Sequence, residues 1–475
     1  MKARFLLAAA AFACAVFTAE AFDSFKDAFQ AARTARNEKK ADEALKILEE
    51  AKSLAKNPWQ KYQVLDFSVE IYMWNKKDMD TAISKLDEII NNEESKADWK
   101  ANALTKKANF LKWNGKKDQS EDLYKKALAL DIAGGTKQNV MNSYADLLRI
   151  NKKFDEALKL YEDSVALEKG APHFVNSAKL GIATVKADQK DYDKALELYN
   201  ELLKTPDLNF WVAEPARRYI VEKVYFPQNK YAEAAEYLNK LEADQEVPEN
   251  QKKWIPEFRI RINLAQGGAL IRENKLDEAA EKLNAIDDSK ITSTGMKNWV
   301  ASTKAYLENS RGNALKKEKK FEEAIEAYKK VLDVKNVSDY SKYDAYMNIF
   351  SVLTHNLKKP DEAKEYLDKA IALPKLNLNH QLRNQHALAS YYLAKGNVDD
   401  AVAALEKAVA IEGKVDPSQK AYAYTRLAEI YFYRKKDLAK ADEYVKKSMA
   451  VPDAKWGFSK GLADRIQKAL EKQNQ

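Results

Sequence analysis

Cysteine is almost missing from this chain: its 475 residues hold one, Cys14. If the first 21 residues are removed on export, the mature chain has none, which excludes disulfides, thiolate metal sites and cysteine nucleophiles. Glycine (13) and proline (11) are scarce as well. With abundant Ala, Leu, Lys and Glu, that composition favours helix. Histidine occurs four times, at His173, His355, His380 and His386. The two nearest in sequence are six apart, not the i, i+4 spacing of a helical metal pair. They are expected to be isolated surface or turn residues, with no metal and no cofactor. There is no glycine-rich phosphate loop, no Gly-x-Ser-x-Gly elbow and no His-Glu-x-x-His, so no catalytic residue is assigned and the chain is read as a non-enzyme.

No apolar run after the N-terminus is long enough to span a bilayer, where about 20 residues are needed. The start itself reads as a targeting segment, residues 1–21. Lys2 and Arg4 precede the apolar run Phe5 to Phe17, and Ala19-Glu20-Ala21 supplies small-x-small cleavage chemistry. The expected location is therefore periplasmic or secreted. Lipidation at Cys14 is disfavoured, because no Leu stands three residues before it and the apolar run continues past it. The net charge of +8 falls to +7 once Lys2, Arg4 and Glu20 are removed. That charge is interspersed, not blocked, and export separates the chain from nucleic acid, so no nucleic-acid partner is expected.

What the sequence has is a repeat. Lys153-Phe154-Asp155-Glu156-Ala157-Leu158, Asp191-Tyr192-Asp193-Lys194-Ala195-Leu196 and Lys320-Phe321-Glu322-Glu323-Ala324-Ile325 are nearly one phrase. Aligned on its Ala, eleven anchors follow: Ala44, Ala82, Ser120, Ala157, Ala195, Ala234, Ala279, Ala324, Ala363, Ala401 and Ala441. Their spacings are 38, 38, 37, 38, 39, 45, 45, 39, 38 and 40. Bulky apolar residues recur four after each anchor and small or apolar ones seven after, which is one helical face. Twelve before the anchor, seven repeats carry Ala or Gly: Ala32, Ala108, Ala145, Ala183, Gly267, Gly312 and Ala389; in repeat 11 Ala428 stands one place further off. Two facing small residues let two helices approach closely, and such a hairpin must stack on neighbours to bury its faces.

Small, eleven residues, small, with a bulky apolar residue four later, resembles the tetratricopeptide repeat, over about Asp23 to Pro452. The family unit is 34 residues and this one is usually 38; the surplus is one helical turn. Trp59, Trp99, Trp254 and Trp299 stand early in first helices, so the extra turn is placed there, with each Trp covering the previous hairpin. The resemblance implies an all-α, right-handed superhelical solenoid of about eleven helix-turn-helix repeats. Repeats 1–6 would occupy 22–245 and repeats 7–11 would occupy 246–452, with a capping helix over 453–475. Five prolines, Pro206, Pro215, Pro227, Pro248 and Pro256, make repeats 6 and 7 irregular.

The resemblance also implies a scaffold or adaptor that binds partner proteins or peptides in the groove lined by first helices. Groove positions 18, 15 and 11 before the anchor hold Asn102, Asn109, Asn139, Asn142, Asp146, Asn309 and Asn313; the asparagine amides, each with a donor and an acceptor, are expected to pair with a peptide backbone. The Lys–Asn pair of the family's carboxylate clamp is missing from every repeat. The alternative is a binder of carbohydrate or cell-envelope polymer, using groove aromatics such as Trp113 and the proline-rich middle. Lysines recur in the turns (Lys39-Lys40, Lys76-Lys77, Lys152-Lys153, Lys319-Lys320), with acids following at once. Two helix dipoles favour that order by about 0.3–1 kcal/mol per charge, and it leaves the edge nearly neutral.

Overall fold

The computed structural model describes residues 22–473, apart from 168–169, 375 and 455–456. The expected targeting segment, residues 1–21, and Cys14 with it, lie outside the described residues. Among the described residues there are 23 α-helices and no strand, and no helix is long and apolar enough to cross a membrane. The chain is an all-α solenoid of helical hairpins, divided into two units.

The first unit runs up to Lys230 and includes Glu246–Gln251. Its hairpins are α1 (Phe25–Asn37) with α2 (Ala41–Ser53), α3 (Pro58–Glu70) with α4 (Met79–Asn91), and α5 (Ala97–Trp113) with α6 (Lys117–Leu128). Then come α7 (Gly134–Ile150) with α8 (Phe154–Ala166), α9 (Pro172–Asp188) with α10 (Tyr192–Leu203), and α11 (Phe210–Tyr219). The second unit comprises Tyr231–Gln245 and Lys252 onward. It starts with α12 (Tyr231–Ala243), followed by α13 (Ile255–Arg272) with α14 (Leu276–Asn284) and α15 (Thr294–Lys317) with α16 (Phe321–Asp333). After these stand α17 (Asp339–Ser351) with α18 (Pro360–Ile371), α19 (Leu378–Ala394) with α20 (Val398–Val409), α21 (Pro417–Ile430) with α22 (Leu438–Met449), and α23 (Gly457–Gln473).

The register read from sequence is the core of both units. All eleven anchors are at most 2% exposed, and so are all eleven residues four later; the residues seven later reach at most 6%. A Leu or Val in such a site contributes about 1.5–3 kcal/mol by leaving water. Where the anchor is Ser120, its hydroxyl donates to the carbonyl of Ala108, twelve residues earlier, at 2.7 Å. The last helix, α23, buries Leu462 and Ile466 among α21 and α22 side chains, which is how the terminal face is kept from water.

Four hairpins depart from the small-residue rule, and all four do so the same way. Repeats 2, 6, 9 and 11 lack Ala or Gly twelve before the anchor. Their first helices each end in a π turn: Ile71–Lys76, Ile220–Tyr225, Val352–Asn356 and Tyr431–Lys435. A π turn uses an i→i+5 bond and so holds one more residue. The inward position therefore slips to thirteen before the anchor, where Val69, Val221, Phe350 and Ala428 are at most 2% exposed. The anchor spacings of 39, 39 and 40 lead into three of these repeats.

The turn lysines have a second cause that the dipole reading lacked. Five residues before every anchor the backbone is left-handed, with φ from 56° to 83° at Lys39, Lys77, Gly115, Lys152, Lys190, Asn229, Asn274, Lys319, Lys358, Gly396 and Lys436. In hairpin 4 the Lys153 N–H donates to Leu148 O at 2.9 Å and the Lys152 N–H to Arg149 O at 2.9 Å, a Schellman closure. Seven of these eleven sites hold Lys where glycine would be unstrained. Lys152→Gly is expected to stabilise the chain by about 0.5–1 kcal/mol; a lowered melting midpoint would refute this. The lysines one place earlier tie neighbouring hairpins together: Lys76 to Asp42, Lys435 to Asp399, and Lys395 to Asp361 at 2.9 Å.

The prolines act where expected. Pro215 lies inside the ten-residue α11, Pro227 in a 3-10 turn, and Pro248 just before another. The division between the two units falls in this stretch. The tryptophans fit less well. Trp99 is buried and stacks on Tyr62 of the previous hairpin at 4.8 Å, but Trp59 and Trp299 remain 49% and 44% exposed and cover little.

Candidate functional site

The seven expected groove residues divide by what already occupies them. Three serve their own hairpin. The Tyr124 hydroxyl donates to Asn109 Oδ1 at 2.7 Å, Tyr161 to Asp146 Oδ1 at 2.7 Å, and Tyr328 to Asn313 Oδ1 at 2.8 Å. Tyr199 makes the equivalent bond to Thr184 Oγ1 at 3.0 Å. In each case a residue eleven before the anchor receives the tyrosine four after it, so this position also locks the hairpin. Burial holds the Tyr328 hydroxyl up at about 12, so it stays a donor at neutral pH.

The other four sit between hairpins. Asn142 is buried and its amide donates to Phe174 O at 2.9 Å, while its Oδ1 is buried without a partner among the described residues. Asn102 lies beside the Tyr62 hydroxyl and interacts with it. Asn309 accepts from Asn348 Nδ2 at 3.4 Å. Asn139 is half-buried, and its side chain makes no hydrogen bond among the described residues. The structure thus places all seven on first helices, and it gives six of them an intramolecular partner.

Sequence reasoning treated the histidines as isolated, and the fold brings two of them together. His355, at the end of the α17 π turn, and His386, in α19, line one groove of about 520 Å³ with Arg383, Asn348, Gln419 and Tyr422. His386 Nε2 is buried with no partner among the described residues, and its ring lies 5.2 Å from that of Tyr422. Burial, and then the Arg426 charge, push the His386 imidazole down to about 4. His355 is lowered by burial, while the Ser351 carbonyl it bonds at 3.1 Å acts the other way; Lys316, Lys358 and Arg426 lower it further. Both rings are therefore neutral at pH 7. Arg383 is held by Asp344 at 3.3 Å and lies over the Tyr343 ring, and Arg426 pairs with Glu429 at 2.5 Å. The groove offers hydrogen bonds and an exposed aromatic face, the chemistry of binding. The signal that could have found it is position: Asn348 and His386 stand fifteen before their anchors, as Asn142 does.

The first unit has its own first-helix groove, of about 500 Å³, between α1 and α3. Near the turn end of the next hairpins, Trp74 and Trp113 are 58% and 60% exposed with ring centres 5.9 Å apart.

Two family models for the tetratricopeptide repeat match the chain. One covers residues 145–209 and 386–449, the other 309–337 and 343–375. No curated protein matches. Among solved structures, the chain is similar to one in "Structure of Naa15/Naa10 bound to HypK-THB", at 18% identity and a TM-score of 0.33, over 94% of this chain; it spans 61% of that chain's length. The matched segments lie on hairpins whose anchors, tyrosine clamps and left-handed turns are described above, and over those residues the chain carries tetratricopeptide repeats.

Proposed function

We propose that the chain is an exported, non-enzymatic scaffold that holds a partner protein or peptide against its first-helix faces. Repeats of this kind are characteristic of protein-interaction scaffolds, and residues 1–21 supply the export chemistry. The observation that carries the reading is the groove of the second unit, where His386 Nε2 is withdrawn from solvent and left for an incoming group to satisfy. An unpaired buried polar atom costs about 1–3 kcal/mol, which a partner offering a donor or acceptor recovers. Asn139, whose side chain makes no hydrogen bond among the described residues, is the expected groove amide best placed to serve the same purpose in the first unit.

The test is capture from envelope extract by the purified chain, quantified by mass spectrometry. His386→Phe with Tyr422→Ala is expected to lower recovery of a partner by about tenfold or more. A matched pair on exposed second-helix positions, Lys330→Ala with Lys407→Ala, should leave it unchanged. Equal recovery from all three proteins would place the contact elsewhere. Cell fractionation decides export: retention of an uncleaved chain in the cytoplasm would refute it.

A further inference from the structure

The groove between α1 and α3 differs in chemistry from that of the second unit. Its apolar surface is aromatic: Phe29, Trp59, Tyr62 and Phe67 all line it. Trp59 is braced by tilted ring contacts with Tyr62 and Trp99, both at 5.4 Å, yet remains 49% exposed. Phe29 and Phe67 meet at 5.5 Å. The polar lining consists of planar groups. The amides of Gln30, Asn37 and Gln63 make no side-chain hydrogen bond among the described residues. Arg33 has no ion-pair partner there either, and its guanidinium lies 6.0 Å from the Phe29 ring centre. Arg36 reaches Glu70 at 3.6 Å and Asn75 at 3.4 Å, and Asp66 takes Lys106 at 2.6 Å. Two guanidinia face two carboxylates in this lining, so it favours neither sign of charge.

We propose that this groove is a binding site for a neutral oligosaccharide, with a pyranose ring on the Trp59 indole and its hydroxyls bonded to Gln30, Asn37 and Gln63. A pyranose face is a plane of C–H groups, which suits the negative face of an indole. Its hydroxyls each donate and accept, and they radiate from the ring edge. Side-chain amides present a donor and an acceptor side by side, which matches adjacent hydroxyls. An extended peptide would want recesses for alternate side chains, whereas this surface offers one braced, half-exposed indole face, Trp59, set among buried Tyr62 and Phe67. The site is in the other unit from the His386 groove and takes another class of ligand, so it stands or falls independently of the partner-protein reading.

Isothermal titration of the whole chain with chitohexaose, cellohexaose and maltohexaose tests it. At least one of the three should bind with a Kd below about 1 mM. Trp59→Ala should weaken that binding by about tenfold, and Gln63→Ala by about threefold or more, while Trp113→Ala binds as the unsubstituted chain does. Should Trp59→Ala also lower the melting midpoint, the exposed pair Gln30→Ala with Asn37→Ala decides, and full affinity in that pair overturns the site. No binding by any of the three sugars overturns it too, as does displacement of the sugar by an uncharged hexapeptide at lower concentration.

Discussion

Gly181→Ala is expected to destabilise the first unit by about 1–3 kcal/mol, although alanine is the better helix former by about 1 kcal/mol. A Cβ at Gly181 would lie 2.3 Å from Cζ of Tyr161. That ring cannot step aside, because it is 1% exposed and its hydroxyl is held by Asp146 at 2.7 Å. The control is Gly268→Ala in α13, where the nearest atom is the flexible end of Arg272 at 3.8 Å; propensity alone should make that change neutral or stabilising. Gly312→Ala, which meets Tyr328 at 2.4 Å, should behave like Gly181→Ala in the second unit. Urea unfolding followed by circular dichroism separates the cases. Equal midpoints for Gly181→Ala and Gly268→Ala would show that the Tyr161 ring yields.

Acid should weaken the second unit well before its carboxylates protonate. His386 is held at about 4 in the folded chain by burial and by Arg426, against about 6.5 for an unfolded histidine. Between those values the unfolded chain binds a proton that the folded chain refuses, so stability falls as pH falls. The loss is absent above about pH 7, grows through pH 6.5 and is complete near pH 4, reaching about 1–3 kcal/mol. His355 and His380 are lowered too, chiefly by burial, and act in the same direction. Facing His386 are the Arg383 and Arg426 cations, Asp416 across the groove, and the Tyr422 ring. His386→Gln should flatten the dependence of melting midpoint on pH between 4.5 and 6.5 without abolishing it. An identical slope in the variant would mean that His386 titrates normally.

The helical stripe and its register were legible because apolar periodicity is a direct image of burial: Ala195, Tyr199 and Leu202 are spaced as a helix face and lie inside as one. The hairpin closure was legible only in part. Lysine at Lys152 or Lys319 reads as a charge, and nothing in a lysine announces a left-handed backbone. Gly181 was invisible for a similar reason, since it stands fourteen before its anchor and meets a tyrosine from the preceding hairpin. The groove amides show the limit on the functional side. Asn109 and Asn313 occupy polar positions on first helices, as a ligand contact would, yet each accepts from its own tyrosine. A single sequence does not separate a polar residue kept for a partner from one kept for a hydroxyl fifteen residues away. His355 and His386 were missed because 31 residues separate them along the chain, and only the stacking of α17 on α19 brings them to one groove.

The four π turns bear on how such a chain changes length over evolutionary time. An inserted residue in a packed hairpin would ordinarily rotate everything beyond it by about 100°, turning the buried stripe toward water. Widening one turn absorbs that residue within the helix and returns the rest to phase, so the insertion is paid for locally. Alignments that place every gap in the loops would then misassign the inward residue in repeats 2, 6, 9 and 11. They would read Glu70, Glu222 and Glu429 as core, although Val69, Val221 and Ala428 hold that place. In this solenoid the tolerant sites for a one-residue indel lie in the last turn of the first helix, beneath the turn that closes the hairpin.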